Sequence, residues 1–226
     1  MAYLDHGTGF PVLMGHSYLW NAEMWKPQIH ALAPHCRVIA PDLWGHSLSE
    51  SPPPCHDLQD LARHYLALLD ALHIETFDVV GLSVGGMWAE ALTQLAPTRV
   101  RKLMMMDTYV GAEPLDSQAK YLGMLTQIEK DGFISDPLLD IIVPIFFRPG
   151  IDLNAPLPAA FRAALVAFTT PQLLESIVPL GRLIFTREDR LARLNQLDSD
   201  NTLLIVGEHD IPRPPAETHQ MAEIIG

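Results

Sequence analysis

Basic residues are scarce in this 226-residue chain: 15 lysines and arginines stand against 27 aspartates and glutamates, a formal charge of -12. A surface of that sign repels phosphates, so nucleic acid and anionic membranes are not expected partners. Cysteine is nearly absent. Cys36 and Cys55 are too few for a disulfide framework, and in an α/β setting they are expected to stay reduced, as in the cytoplasm. No apolar run reaches the ~18–20 residues that span a bilayer. The opening MAYLDHGTGF has no basic stretch followed by a hydrophobic one, so a secretory signal is not expected. Also missing are a metal-ligand spacing such as H-E-x-x-H, a G-x-G-x-x-G turn after a strand, and any internal repeat. Neither a metal nor a nucleotide cofactor is therefore expected, and none of another kind is called for.

What is present is an alternation of short apolar runs with amphipathic stretches, the rhythm of βαβ units and a mostly parallel sheet flanked by helices. Residues 11–14, 37–40, 76–80, 100–106 and 202–206 read as strands, and residues 1–4 resemble the later part of an early one. Leu58, Leu61, Tyr65, Leu68, Leu69 and Leu72 recur on one helical face. Helices are also expected over 87–95 and 214–225. Between Thr108 and Leu197 the rhythm changes: residues 116–129, 138–147, 158–168 and 171–185 read as helices with no strand among them. A crossover needs one helix, not four. Residues 109–197 are thus expected to form a helical cap inserted into a core made of 1–108 and 198–226.

The segment Gly81-Leu82-Ser83-Val84-Gly85 matches G-x-S-x-G, placed after an apolar strand and before a helix. A sharp strand-to-helix bend lifts a serine hydroxyl clear of the sheet, and glycines on either side let the backbones approach. The helix behind it directs free N–H groups at developing negative charge.

With three further motifs in order, the chain resembles the α/β-hydrolase superfamily of serine hydrolases, carboxylesterases among them. These are Gly15-His16-Ser17 after a strand, the Pro41–Ser49 loop (read with His46 at the second glycine of P-D-x-x-G-x-G-x-S), and Gly207-Glu208-His209-Asp210 after the last strand. The resemblance implies Ser83 as nucleophile, Asp210 as triad acid with Asp107 as a substitute position, and backbone amides of Val84 and Ser17 as the oxyanion hole. It also implies a histidine base one strand beyond the acid. Only 16 residues follow Asp210 here, so that strand and histidine are expected to be absent and both ends look clipped. His16, Tyr18, Trp20 and Trp44 are candidates for the pocket, with Phe146, Phe147 and Phe168 adding apolar walls; His16 equally reads as a brace for its turn. The expected activity is hydrolysis of a small hydrophobic carboxylic ester through an acyl-serine. Carbon–carbon bond hydrolases, lactonases and perhydrolases share these motifs, a catalytically silent binding protein stays open because the base is missing, and so does a homo-oligomer.

Overall fold

The apolar runs pair into one six-stranded sheet in the computed structural model, which describes residues 1–226. In chain order the strands are β1 (Tyr3–His6), β2 (Pro11–Gly15), β3 (Arg37–Pro41), β4 (Phe77–Leu82), β5 (Val100–Met106) and β6 (Thr202–Ile205). They lie side by side as β1-β3-β2-β4-β5-β6, with β1 antiparallel to β3 and every other neighbour parallel. The first strand is therefore an edge strand, not a core one. From β2 the chain steps outward to β3, then returns across to β4. Strand order reverses between β2 and β4, the kind of switch point at whose carboxyl ends open α/β sheets place their ligands.

Each sheet face collects alternate residues. Leu13, Ile39, Phe77, Val79, Leu103 and Met105 join one core with helices α2 (Leu58–Ala71) and α3 (Val84–Leu95). Met14, Val38 and Ala40 face the other way, onto Ala22, Trp25 and the Ile29 of α1 (Lys26–Leu32). The carboxylate of Asp57 caps α2 by accepting from the Asp60 amide at 2.7 Å. Tyr65 of α2 and Trp88 of α3 stack at 3.9 Å between ring centroids, both fully buried, and lock the two helices together. β6 is the other edge of the sheet, and its Leu203 and Ile205 are 50% and 39% exposed.

Between β5 and β6 run α4 (Leu115–Asp131), α5 (Asp136–Ile145), α6 (Pro156–Val166), α7 (Thr170–Gln172) and α8 (Val178–Phe185); α9 (Pro215–Ile225) follows β6. The stretch expected as a single helix over 171–185 is interrupted by a π-helical turn at Leu173–Ile177. Pro179 supplies the reason: it lacks an N–H and its ring crowds the preceding turn, so the Val178 amide reaches back five residues to the Leu173 carbonyl. The helix expected from Met87 begins three residues earlier, at Val84, directly out of the bend at Ser83. No single helix is long and apolar enough to cross a membrane.

Candidate active site

Strain is concentrated at the carboxyl ends of the strands. Five non-glycine residues have positive φ, and four of them sit in the connections after β2, β3, β4 and β5: Leu19 (68°), Ser47 (48°), Ser83 (58°) and Asp107 (44°). Such conformations cost on the order of 1–3 kcal/mol each and persist only where the surroundings over-determine them. The Pro41–Ser49 loop corrects one reading here. Ser47, not His46, occupies the second glycine position, and its φ of 48° is the left-handed geometry that glycine would adopt freely.

Ser83 is the most constrained of the four, with φ 58° and ψ -120°. Its amide donates to the Met106 carbonyl at 2.8 Å, while its own carbonyl accepts from the Gly86 amide at 2.9 Å, the Met87 amide at 3.2 Å and the Thr108 hydroxyl at 2.7 Å. A Cβ built on Gly81 would collide with the backbone of Gly85, and one on Gly85 with the carbonyl of Gly15. The bend thus forms only where β2, β4 and the start of α3 touch through bare backbone. A Gly85→Ala substitution is expected to cost about 1–3 kcal/mol, measured by urea unfolding. Thr108→Val should cost about 1 kcal/mol by removing the hydroxyl's bond to the Ser83 carbonyl.

Val84 is the first residue of α3, so helix geometry leaves its amide without an intrahelical acceptor. Across the strand boundary, Gly15 of β2 stands in register with Gly81 of β4, which brings the Gly15-His16-Ser17 turn beside the bend. In that turn the Leu19 amide is bonded to His46 and the Trp20 amide to the Ser17 carbonyl, whereas the Ser17 and Tyr18 amides bond to no protein group.

His16 and His46 hold the turn by a reciprocal cross-brace. His16, from the loop after β2, accepts at Nε2 from the Leu43 amide after β3 (2.8 Å); His46, after β3, accepts at Nε2 from the Leu19 amide after β2 (3.2 Å). Their Nδ1 atoms face the carbonyls of Ser17 at 2.8 Å and Trp44 at 3.0 Å, which fixes both imidazoles as Nδ1–H tautomers. Burial pushes His16 down to about 3, with the nearby His46 adding to the shift, and burial pushes His46 down to about 4. Both rings are neutral and both nitrogens of each are occupied.

The other candidate pocket residues tie the site to the helices inserted after β5. Trp20 stacks on Phe161 of α6 at 4.4 Å and meets Phe146 and Phe147 edge-on. The Tyr18 hydroxyl donates to the Ile177 carbonyl at 2.7 Å, and Phe168 lies edge-on to His46. Gly45, at φ 69°, lies where a side chain would strike Ser176. Trp44 turns instead toward α2, donating from Nε1 to His64 at 3.1 Å.

The two candidate acids are neighbours. Asp107 follows β5 and accepts from the Gly207 amide at 2.8 Å; Asp210 accepts from the Arg213 amide at 2.8 Å. Burial raises Asp210 to about 6 against the lowering effect of the Arg213 amide, and the charge and hydrogen bond of Asp107 raise it further. The positive charge of Arg213 works against this rise. No group of three or more histidine, cysteine or carboxylate side chains converges in a way that could hold a metal ion.

Two features escaped the sequence reading. The His16–His46 brace needs the loops after β2 and β3 to lie side by side, and nothing in their spacing predicts this. The buried carboxylate Glu113, on the segment after β5, gave no signal at all.

The family model described as the alpha/beta hydrolase fold matches residues 11–142, and the chain belongs to that family. Among curated proteins it is similar to a 2-hydroxymuconate semialdehyde hydrolase of Pseudomonas sp. (strain CF600), 32% identical over 165 residues, which cover 65% of this chain and 57% of that protein. The chain thus spans less than two thirds of that relative's length. A 2-hydroxy-6-oxo-2,4-heptadienoate hydrolase of Pseudomonas putida (strain F1) is 28% identical, with 90% of this chain and 83% of that protein covered. Among solved structures, a thermophilic esterase from Thermogutta terrifontis superposes with a TM-score of 0.82 at 24% identity, covering 99% of this chain and 80% of its own.

Proposed function

We propose that the protein is a serine hydrolase that cleaves small, hydrophobic carboxylic esters through an acyl-serine intermediate. The observation that carries this reading is the strained bend at Ser83, with φ 58° and ψ -120°. The bend holds a hydroxyl free of protein hydrogen bonds directly before an α-helix with an open N-terminal amide. In the proposed mechanism Ser83 attacks the ester carbonyl. The amides of Val84 and Ser17 take the developing oxyanion, and Asp210 orients a histidine base that takes the serine proton and passes it to the leaving alcohol. Departure of the alcohol leaves the acyl-serine, which water then hydrolyses to the acid. The base is assigned to neither His16 nor His46, whose ring nitrogens are committed to main-chain partners. Residues 109–197 act as a cap, and the aromatic contacts of Trp20 with Phe146, Phe147 and Phe161 support an apolar acyl pocket beneath it.

A second reading has its own support. Two relatives are named as hydrolases of 2-hydroxymuconate semialdehyde and 2-hydroxy-6-oxo-2,4-heptadienoate, compounds with no ester bond, so hydrolysis of their chains breaks carbon–carbon bonds. Parallel assays with p-nitrophenyl butyrate and with a 2-hydroxy-6-oxodienoate separate the two. The ester reading expects kcat/KM for the butyrate to be the larger, and the reverse order overturns it in favour of the second.

A further inference from the structure

The acid turn is held by a buried residue that belongs to none of the motifs. From Gly207 to Pro214 the chain lies at the surface: Glu208, His209 and Ile211 are exposed, Ile211 to 75%. Arg213 is the one buried residue of this stretch. Its Nη2 donates at 2.6 Å to Oε1 of Glu113, on the segment between β5 and α4, whose side chain is 1% exposed. The other carboxylate oxygen of Glu113 accepts at 2.8 Å from Arg187, also 1% exposed, and Arg187 Nη1 donates as well to the Ile184 carbonyl. Glu113 and Arg187 thus close the neck of the inserted helices, and Arg213 is the arm from that neck to the turn. At the turn itself, the Arg213 amide donates to Asp210, and the Gly207 amide donates to Asp107.

We infer that Glu113 is a positioning residue: through Arg213 it clamps the turn 207–213 against the end of β5, so that Asp210 stands beside Asp107. The physical reason is asymmetry of burial. A guanidinium taken out of water needs a carboxylate, since an unpaired buried charge is strongly unfavourable, and Glu113 at 2.6 Å pairs with Arg213 far more closely than Glu217 of α9, whose Oε2 lies 3.5 Å from Nε. The turn's remaining side chains have little burial to lose by swinging out. The inference rests on the reading of Asp210 as the acid, but its test does not pass through catalysis.

The carboxyl resonances of Asp107 and Asp210 are titrated by 13C NMR in wild type, Arg213→Met, Glu113→Gln and Arg187→Met. Amide exchange at Gly207 and Arg213 is followed alongside. The groups that face Asp210 are Asp107, Arg213, Tyr121 and Glu217. Losing the Arg213 charge by itself raises the midpoint of Asp210. Releasing the turn into water, away from Asp107, lowers it toward the ordinary ~3.9. The expected result in Arg213→Met and Glu113→Gln is therefore a fall, with exchange at Gly207 and Arg213 at least roughly tenfold faster. Arg187→Met, which leaves the Glu113–Arg213 pair in place, should move neither.

A rise or no change in Asp210 overturns the inference, as does an equal effect of Arg187→Met, which would make the cluster a general support of the neck. Should Glu113→Gln fail to fold, Arg213→Met decides alone, because Glu113 then keeps Arg187 as its partner. Failure of the acid reading looks different: Asp210→Asn would keep wild-type turnover while the clamp measurements stood.

Discussion

Ser83→Ala is expected to lower kcat for p-nitrophenyl butyrate by a factor on the order of 10⁴ or more, with the far-UV spectrum unchanged. In the proposed mechanism, loss of the attacking oxygen removes the covalent route while leaving the Val84 and Ser17 amides in place. Stability gives an independent check on the same residue. Alanine retains a Cβ at φ 58°, so the strain stays; Ser83→Gly removes it. The glycine variant should be as inactive as the alanine one and yet more stable than it by roughly 1 kcal/mol. Unfolding of the two variants in urea, beside steady-state rates, measures both effects. An alanine variant that turns over at the wild-type rate would remove Ser83 from the mechanism.

The buried imidazoles give the second large effect. His16 and His46 have folded values near 3 and 4, below the ordinary ~6.5 of the unfolded chain. Between those values the unfolded state binds protons that the folded state refuses, so the pair contributes stability above pH ~6.5 that is lost as pH falls through the folded values. The size is on the order of 3 to 5 kcal/mol per imidazole, with burial the main cause for both and the charge of His46 adding to it at His16. Protonation also turns each Nε2 acceptor into a donor facing another N–H, Leu43 for His16 and Leu19 for His46. Raised carboxylates such as Asp42, Glu90 and Asp210 act in the opposite sense, gaining on acidification, so the total curve is a poor readout. The difference between wild type and His46→Gln isolates the imidazole. Glutamine can still accept from Leu19 but does not titrate. Its deficit at pH 7 should shrink or reverse by pH 4 in parallel urea titrations, and parallel curves across that range would contradict the neutral-brace account.

Strands and their order of chemistry were legible in the sequence because they depend on local pattern. The run Val100–Met106 is found as β5 with the bounds read from the sequence, and the bend at Ser83 follows from two glycines whose Cβ atoms would strike backbone. Element ends were less legible. Helix α3 starts at Val84 because the bend itself supplies the first turn, and α8 is set off by Pro179, whose effect on the register is a matter of one missing N–H. Long-range pairing was not legible at all. Nothing within the Gly15–Trp20 or Leu43–Ser49 stretches says that two histidines 30 positions apart brace each other's loops, whereas counting the P-D-x-x-G-x-G-x-S pattern from Pro41 already puts Ser47, not His46, at the left-handed position. Glu113 and Arg213 are separated by 100 positions and meet only because the inserted helices and the acid turn converge at the end of β5.

The most direct measurement is mass spectrometry of the Ser83-containing peptide after rapid acid quench of the protein turning over p-nitrophenyl butyrate. A butyryl adduct on Ser83, absent from the Ser83→Ala protein, is the result the covalent account predicts. Turnover with no adduct, or with the acyl group on another side chain, would contradict it.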